Sequence, residues 1–306
     1  MVIYIKLKKK DGTHISFTNI LGFVFEKEAY TPYTTFRANV FGNGLPEDFT
    51  ELEFYINGTL LHHGTADTCK KINEGGGVRG YISSRGFTSL LTENQLPPGN
   101  YTDMTLNKLF DSYFSLPNIT HESSNTRSYI FVNKGTPMWD GAVNLAYKLT
   151  GAYPYIRKAN MFMISMPENA KNVTYTLDNV INYGTELSTK RMISHYHMAD
   201  ISGNYGTYEY VGTEAAERNL IRHHHFDLDR RFLHSPESAC KFRGDISARG
   251  YKRRFFTYNG YNGEDLNDIV TFEDISGQRV KAMRITGSQK GVFTELSVYD
   301  DAMSVT

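Results

Sequence analysis

The chain has 306 residues, enough for two or three packed units of ordinary domain size. Hydrophobic residues make up 40% and charged residues 22%, which excludes a disordered chain, while 33 Lys and Arg against 33 Asp and Glu leave no basic footprint for sequence-specific nucleic acid. No run of about 18 apolar residues suggests a membrane span, and Cys69 and Cys240 lie too far apart for a metal or redox motif, so two reduced, buried thiols are expected.

The opening MVIYIKLKKKDG alternates apolar and basic residues, so no signal peptide is expected. Residues 1–95 read as an N-terminal β-barrel-like domain, with strand-like runs VIYIKLKKK, ISFTNILGFVFEKEA, TTFRANVFG, LEFYINGTLLHHGTA and VRGYISSRGF separated by turn signals. FYINGTLLHHG is the clearest hairpin, because Asn57-Gly58 accepts positive φ at both centres of a type I′ turn. Glu74-Gly75-Gly76-Gly77 lacks the Gly-Lys-Ser/Thr ending and following helix of a phosphate-binding loop and reads as a hairpin tip.

Residues 96–170 read as a small α+β domain. LPPGNYT breaks the strand pattern, and Thr105 then precedes Leu106, Leu109, Phe110 and Tyr113 at helical spacing. A better-marked helix has Thr136 as N-cap, Pro137 at its first position, Leu145, Ala146 and Leu149 on one face, and Gly151 as its stop. RSYIFVNKG and NMFMISMP read as strands, and a boundary falls near Pro167.

Residues 171–306 read as a second β-barrel-like domain with a helical insertion. VTYTLDNVIN, KRMISHYHM and GTYEYVG are strand-like; helices open at Thr213 and at Ser235-Pro236, the latter broken at Gly244. RRFFTYNGY, DIVTFEDI, RVKAMRITG and GVFTELSVYD close the chain with an alternation that buries one face of a second barrel. The fold class expected is α+β, mainly β: two antiparallel β-barrel-like domains with a small α+β domain between them.

Few residues suggest chemistry. His223 and His225, within Arg222 to Asp229, share a strand face with carboxylates nearby, and His195 and His197 form a second His-x-His pair. Without a helical HExxH spacing both read as partly exposed polar segments. Glu264 with Asp265, or Asp300 with Asp301, could serve glycoside hydrolysis, but Gly260 and Gly263 make the first pair a solvated turn. No G-x-S-x-G elbow supplies an acyl-transfer nucleophile. Arg249 to Arg254, beside Phe255 and Phe256, reads as a wet helix end, with contact to nucleic acid threading a channel as the alternative. No catalytic residue, cofactor or metal site is expected.

One longer pattern carries more. VNKGTPMWDGAVNLAYKLTGAYPYIRKANMFMISMP resembles the middle of baseplate hub proteins of contractile phage tails, the late control gene D and Mu-type tail hub family. That family places a GYxxSRxxLL-like stretch ahead of this unit; here it is GYISSRGFTSLLTEN, residues 80–94. FYINGTLLHHGTAD upstream, and GYNGEDLNDIVTFED with GSQKGVFTELSVYD downstream, are similar to the family's strand-turn-strand and closing elements. The resemblance spans about Ile20 to Asp300 and rests on pattern order. It implies a non-enzymatic homotrimer whose paired barrels make a pseudo-sixfold ring at the tail tip, joining a hexameric tail tube protein to a trimeric central spike protein, with other baseplate or tape-measure proteins as neighbours. It further implies synthesis in the host bacterial cytoplasm, a place in the virion tail, and no fused spike or lytic domain after Asp300. A host-surface or glycan-binding tail component, suggested by YNGYNG at 258–263, and a tail-associated peptidoglycan hydrolase are the alternatives.

Overall fold

The computed structural model describes residues 1–42, 44–46 and 48–300. Seven strands come from the first segment: β1 (Ile3–Lys8), β2 (His14–Phe17), β3 (Ile20–Glu28), β4 (Thr35–Phe41), β5 (Glu51–Ile56), β6 (Thr59–Glu74) and β7 (Gly77–Gly86). Period-two alternation drives them: in β5, Leu52, Phe54 and Ile56 are buried while Glu51, Glu53 and Tyr55 face outward. The β5–β6 hairpin turns as expected, with Asn57 at φ 50° and Gly58 at φ 79° between paired Ile56 and Thr59. Gly75 and Gly76 likewise form the tip between β6 and β7. ISFTNILGFVFEKEA, read as one strand, is two: β2 pairs with β1, whereas β3 crosses to pair with β4.

After β7 come α1 (Leu90–Glu93) and β8 (Gly99–Met104), which pairs with β10 (Ser128–Val132). Thr105 caps α2 (Leu106–Lys108) by accepting from the Lys108 N–H, and one π-helical turn, Leu109–Phe114, continues it. β9 (Thr120–His121), β11 (Tyr155–Arg157) and β12 (Met161–Met163) make a small sheet, and α3 (Met138–Thr150) stops at Gly151, φ 72°. The cap of α3 lies at Pro137, one residue later than the sequence suggests.

The last segment holds β13 (Asn172–Thr174), β14 (Val180–Leu187), β15 (His195–Met198), β16 (Tyr208–Val211), α4 (Thr213–Glu217), β17 (His223–Phe226), α5 (Glu237–Ala248), β18 (Lys252–Asn259), β19 (Ile269–Phe272), β20 (Ile275–Arg279), β21 (Ala282–Ser288) and β22 (Gly291–Asp300). Gly244 does not break α5. A Cβ there would fall on the Tyr210 ring, so the glycine lets β16 approach the helix closely.

Eleven strands form one antiparallel sheet in the order β14-β18-β22-β21-β3-β4-β7-β6-β5-β1-β2. Strands β1–β7 join β14, β18, β21 and β22 where β3 pairs with β21, from Glu28 opposite Ala282 to Phe23 opposite Gly287. The two halves therefore share a ladder, which among the described residues ends at β14 and β2 without closing. The architecture is α+β and mainly β. One continuous core collects Phe25 and Phe54 from the first segment, Leu109, Trp139 and Phe162 from the middle, and Phe256 and Leu296 from the last. Each such side chain, fully buried, contributes about 1.5–3 kcal/mol. Both cysteines are free thiols, Cys240 buried and Cys69 partly so. Among the described residues no helix is long and apolar enough to cross a membrane.

Candidate functional site

The loop from Gly260 to Asp268 is not a solvated turn. Glu264 and Asp268 are 0% and 1% exposed, because the loop is threaded between the three segments. The Glu264 carboxylate accepts from Tyr258 Oη at 2.7 Å and from the Tyr175 hydroxyl. Asp265 accepts from Lys27 Nζ at 2.6 Å, from the Lys158 N–H at 2.7 Å and from the Leu266 N–H at 2.7 Å. Lys27 also donates to the Lys158 carbonyl at 2.5 Å. Asp268 accepts from Arg157 Nη2 at 2.8 Å and from the Lys171 N–H at 3.0 Å. Strand β3, the end of β11 and the closing loop are thus tied by one buried polar junction.

Its chemistry is that of a weld. Burial, and then the nearby Glu264 carboxylate, push the Tyr175 and Tyr258 phenols up, which keeps them neutral donors. Burial pulls Lys27 below the usual lysine range against the opposing attraction of Asp265. Glu264 and Asp265 point into separate clusters, each already satisfied by protein donors, rather than facing one another across a sugar-sized gap. Asp301, the partner of Asp300, lies outside the described residues. The YNGYNG tyrosines are spent internally too: Tyr258 is buried, and the Tyr261 hydroxyl donates to the Glu264 carbonyl at 3.0 Å.

The basic run differs from a wet helix end. Lys252, Arg253 and Arg254 lie on β18, and carboxylates from neighbouring elements answer all three. Arg253 pairs with Glu186 of β14 at 3.0 Å and with Glu295 of β22; Arg254 pairs with Asp300 at 3.0 Å and Asp274 at 3.4 Å; Lys252 reaches Asp300 at 3.3 Å. Arg249 lies 5.3 Å from the Tyr30 ring centroid. Farther along the same sheet Glu26 sits between Arg37 at 3.3 Å and Arg284 at 3.5 Å. Pairs on the sheet surface of this kind contribute only about 0.2–1 kcal/mol each where they are exposed, but alternating signs cancel the field a polyanion would need. A cleft of about 560 Å³ runs across this seam, lined by Glu26, Glu28, Arg253, Arg284 and Glu295 among others.

The two His-x-His pairs are brought together, with His197 bonded to His223, 26 residues further along the chain. β17 runs parallel to β15, with His195 opposite His223 and His197 opposite His225. The four imidazoles interleave as a stack in the order 195, 223, 197, 225, with centroid separations of 4.3, 5.2 and 4.5 Å and near-parallel planes. His197 Nδ1 lies 2.9 Å from Glu209 Oε1 of β16, and its Nε2 lies 2.9 Å from His223 Nδ1. Partial desolvation within the imidazole stack, and then the neighbouring His195, His197 and His225, hold the pKa of the otherwise exposed His223 below the ordinary imidazole value. Among the described residues no three His, Cys, Asp or Glu side chains are poised around a common point for a metal ion.

Against this architecture, comparisons with known proteins give a consistent result. The tail protein from Neisseria meningitidis MC58 superposes with a TM-score of 0.73 at 13% identity, covering 99% of this chain and 98% of that one. The fold is that of phage tail proteins. The prophage MuSo2 43 kDa tail protein from Shewanella oneidensis gives a TM-score of 0.71 at 14% identity, over 99% of this chain and all (100%) of that one. The E. coli c3393 protein, a component of the type VI secretion system with structural similarity to T4 bacteriophage tail proteins gp27 and gp5, gives 0.56 at 10% identity, over 94% of this chain and 75% of that one. No protein-family model matches the sequence, and no curated protein matches it.

Proposed function

We propose that the chain is a structural hub subunit of a phage tail or related contractile injection machine, a non-enzymatic homotrimer that adapts a hexameric tail tube to a trimeric central spike. On this reading it is of the late control gene D or Mu-type hub kind, is made in the bacterial cytoplasm and works in the virion tail, touching baseplate or tape-measure proteins at its rim. Segments 1–95 and 171–306 act as the two tube-facing units of each copy, and segment 96–170 braces them.

The observation that carries the reading is the end-to-end match of the whole chain to tail proteins, joined to a sheet that both halves build together. Terminal strand β14 supports self-assembly, since Ile181, Tyr183 and Leu187 are 56%, 57% and 60% exposed on it. Apolar side chains on an open sheet edge are a cost to a lone monomer and an asset at a ring contact of roughly 2,000 Å² or more. Buried Tyr258, and a Tyr261 hydroxyl already donating to the Glu264 carbonyl, weigh against the glycan-binding alternative.

Light scattering of the purified chain, alone and mixed with the tube and spike proteins of the same tail, tests the reading. Three copies per complex are expected, and Leu187→Lys with Tyr183→Lys should weaken the assembly while leaving the fold intact. A chain that stays monomeric with both partners present overturns it.

A further inference from the structure

The imidazole stack of the insertion has no part in the proposed hub role, and its geometry limits how much positive charge it can hold. The strand order β16-β15-β17 leaves β17 at an edge, joined to β15 by a ladder four residues long. Two bonds flank that ladder, from the His195 N–H to the Arg222 carbonyl at 3.1 Å and from the Ala199 N–H to the Phe226 carbonyl at 3.0 Å. Its outward positions are all histidine, with His195 opposite His223 and His197 opposite His225. Tyr196 and Tyr210 point the other way, toward α5.

The bond between His197 Nε2 and His223 Nδ1, 2.9 Å long, needs one donor and one lone pair, whichever ring supplies the proton. A second proton there sets N–H against N–H and abolishes it. Glu209, 2.9 Å from His197 Nδ1, offsets one imidazolium. The other charged groups nearby are engaged elsewhere. Asp200 accepts from the Ser202 and Asn204 amides, and Asp227, past the end of β17, lines the cleft beside Arg231 and Arg243. Behind the sheet Asp245 of α5 faces Tyr210, and Arg243 lies 4.1 Å from the Phe226 ring centroid. Arg222, entering β17, donates to the Thr189 and Met192 carbonyls, and Tyr205 meets His225 edge-on at 5.2 Å. Four imidazoles therefore share one close carboxylate, and ring separations of 4.3, 5.2 and 4.5 Å set any further positive charges side by side.

We propose that the stack is an acid-sensitive latch: on mild acidification β17 detaches from β15 and the insertion loosens, while the eleven-stranded sheet stays intact. Separated imidazoles in water each take up a proton near pH 6.5. The closed stack accepts one readily and resists the next, so it binds fewer protons than the open form. Closure is therefore complete above about pH 6.5 and is lost as pH falls below it. Opening breaks a four-residue edge ladder and leaves the β3–β21 junction untouched, which makes it a local event. The inference rests on the stack alone and stands whether or not the chain is a tail hub.

Hydrogen exchange of the full-length chain at pH 7.5 and 5.5, corrected for the intrinsic pH dependence of exchange and read by mass spectrometry, tests the latch. Protection at His195–Met198 and His223–Phe226 should fall at least tenfold further than protection at Ile20–Glu28 and Ala282–Ser288, which report opening of the whole sheet. His223→Gln/His225→Gln carries no titrating ring on β17 and should remove that excess fall, whereas His14→Gln, on β2, should keep it. A second variant decides the matter if the double one is already loose at pH 7.5. Glu209→Gln withdraws the one offsetting charge from the closed stack, widens its difference in proton affinity from the open form, and should move opening to higher pH. Equal falls in the insertion and the sheet overturn the proposal. So does an excess fall that survives His223→Gln/His225→Gln, or a Glu209→Gln opening that stays in place or moves to lower pH.

Discussion

Replacing Asp265 by alanine isolates the junction that ties the two ends of the chain. Lys27 is 3% exposed at its side chain and Asp265 is 17% exposed, with 2.6 Å between their charged atoms. Removing the carboxylate leaves the lysine with the Lys158 carbonyl as its remaining acceptor at this junction and strips acceptors from the Lys158 and Leu266 amides. Deleting one partner of a buried ion pair costs about 3–5 kcal/mol, because the surviving charge stays out of water without compensation. For a chain of this size about 1 kcal/mol shifts the melting temperature by roughly 2 °C. Asp265→Ala should therefore lower it by about 6–10 °C in differential scanning calorimetry.

Two companions make the reasoning refutable. Lys27→Met/Asp265→Leu removes both charges and should recover the part of the loss that comes from the uncompensated lysine, though not the part from the two amides left without Asp265 as acceptor. Disrupting Lys10–Asp48, an exposed pair, by Lys10→Ala should move melting by less than about 1 °C. An Asp265→Ala shift as small as that of Lys10→Ala, or a double variant as unstable as the single one, would show that Lys27 is not held by the carboxylate.

His62 gives a pH test. Its buried ring accepts at Nδ1 from Thr34 Oγ1 at 2.7 Å and donates from Nε2 to Ser84 Oγ at 2.8 Å, a neutral tautomer fixed because Ser84 donates onward to the Thr65 carbonyl. Burial, then neighbouring His63, pull its pKa down to about 3. Below the unfolded value near 6.5 the unfolded chain takes up a proton that the folded chain refuses, so this stability is complete above pH 6.5 and lost as pH falls toward 3. Denaturant titrations at pH 7 and 4.5 should differ by about 2–3 kcal/mol from this group, and His62→Gln should shrink the difference. Gly244→Ala should destabilise by about 1–3 kcal/mol through overpacking against Tyr210, with Tyr210→Ala relieving the clash in the double variant. Thr105→Ala should cost about 1 kcal/mol by leaving the Lys108 N–H uncapped, read from the same denaturant curves.

Features that depend on a few neighbouring residues were legible in the sequence. Asn57-Gly58 turns where it should, Thr105 caps its helix, and Gly151 ends α3, because φ preference and capping are local. What depends on distant partners was not. The burial of Asp265 is set by Lys27, 238 residues away, and that of Asp268 by Arg157, 111 residues away. Glycines around the loop signalled a turn without saying what would cover it. One signal was present: in β3 the buried positions Phe23, Phe25 and Lys27 share a phase, so a lysine stands on the apolar face and requires a buried anion. The histidine face was hidden likewise, since only the parallel pairing of β15 with β17 superposes its halves.

β3 explains why the chain acts as one body. Its backbone pairs with β21 from Phe23 to Glu28, so the two halves cannot separate without breaking a ladder in the middle of the sheet. Its inward Lys27 reaches the closing loop, while its outward Glu26 and Glu28 meet Arg284 and the Tyr299 hydroxyl. Backbone pairing, a buried ion pair and surface contacts thus act on the same short strand, and a hinge between the halves would have to break all three together. The hub role proposed above would require that rigidity, because motion absorbed between the halves would not reach neighbouring subunits. If that proposal holds, weakening β3 at Lys27 should impair assembly with the tube and spike proteins as well as thermal stability, whereas changes at the exposed histidine face should leave both intact.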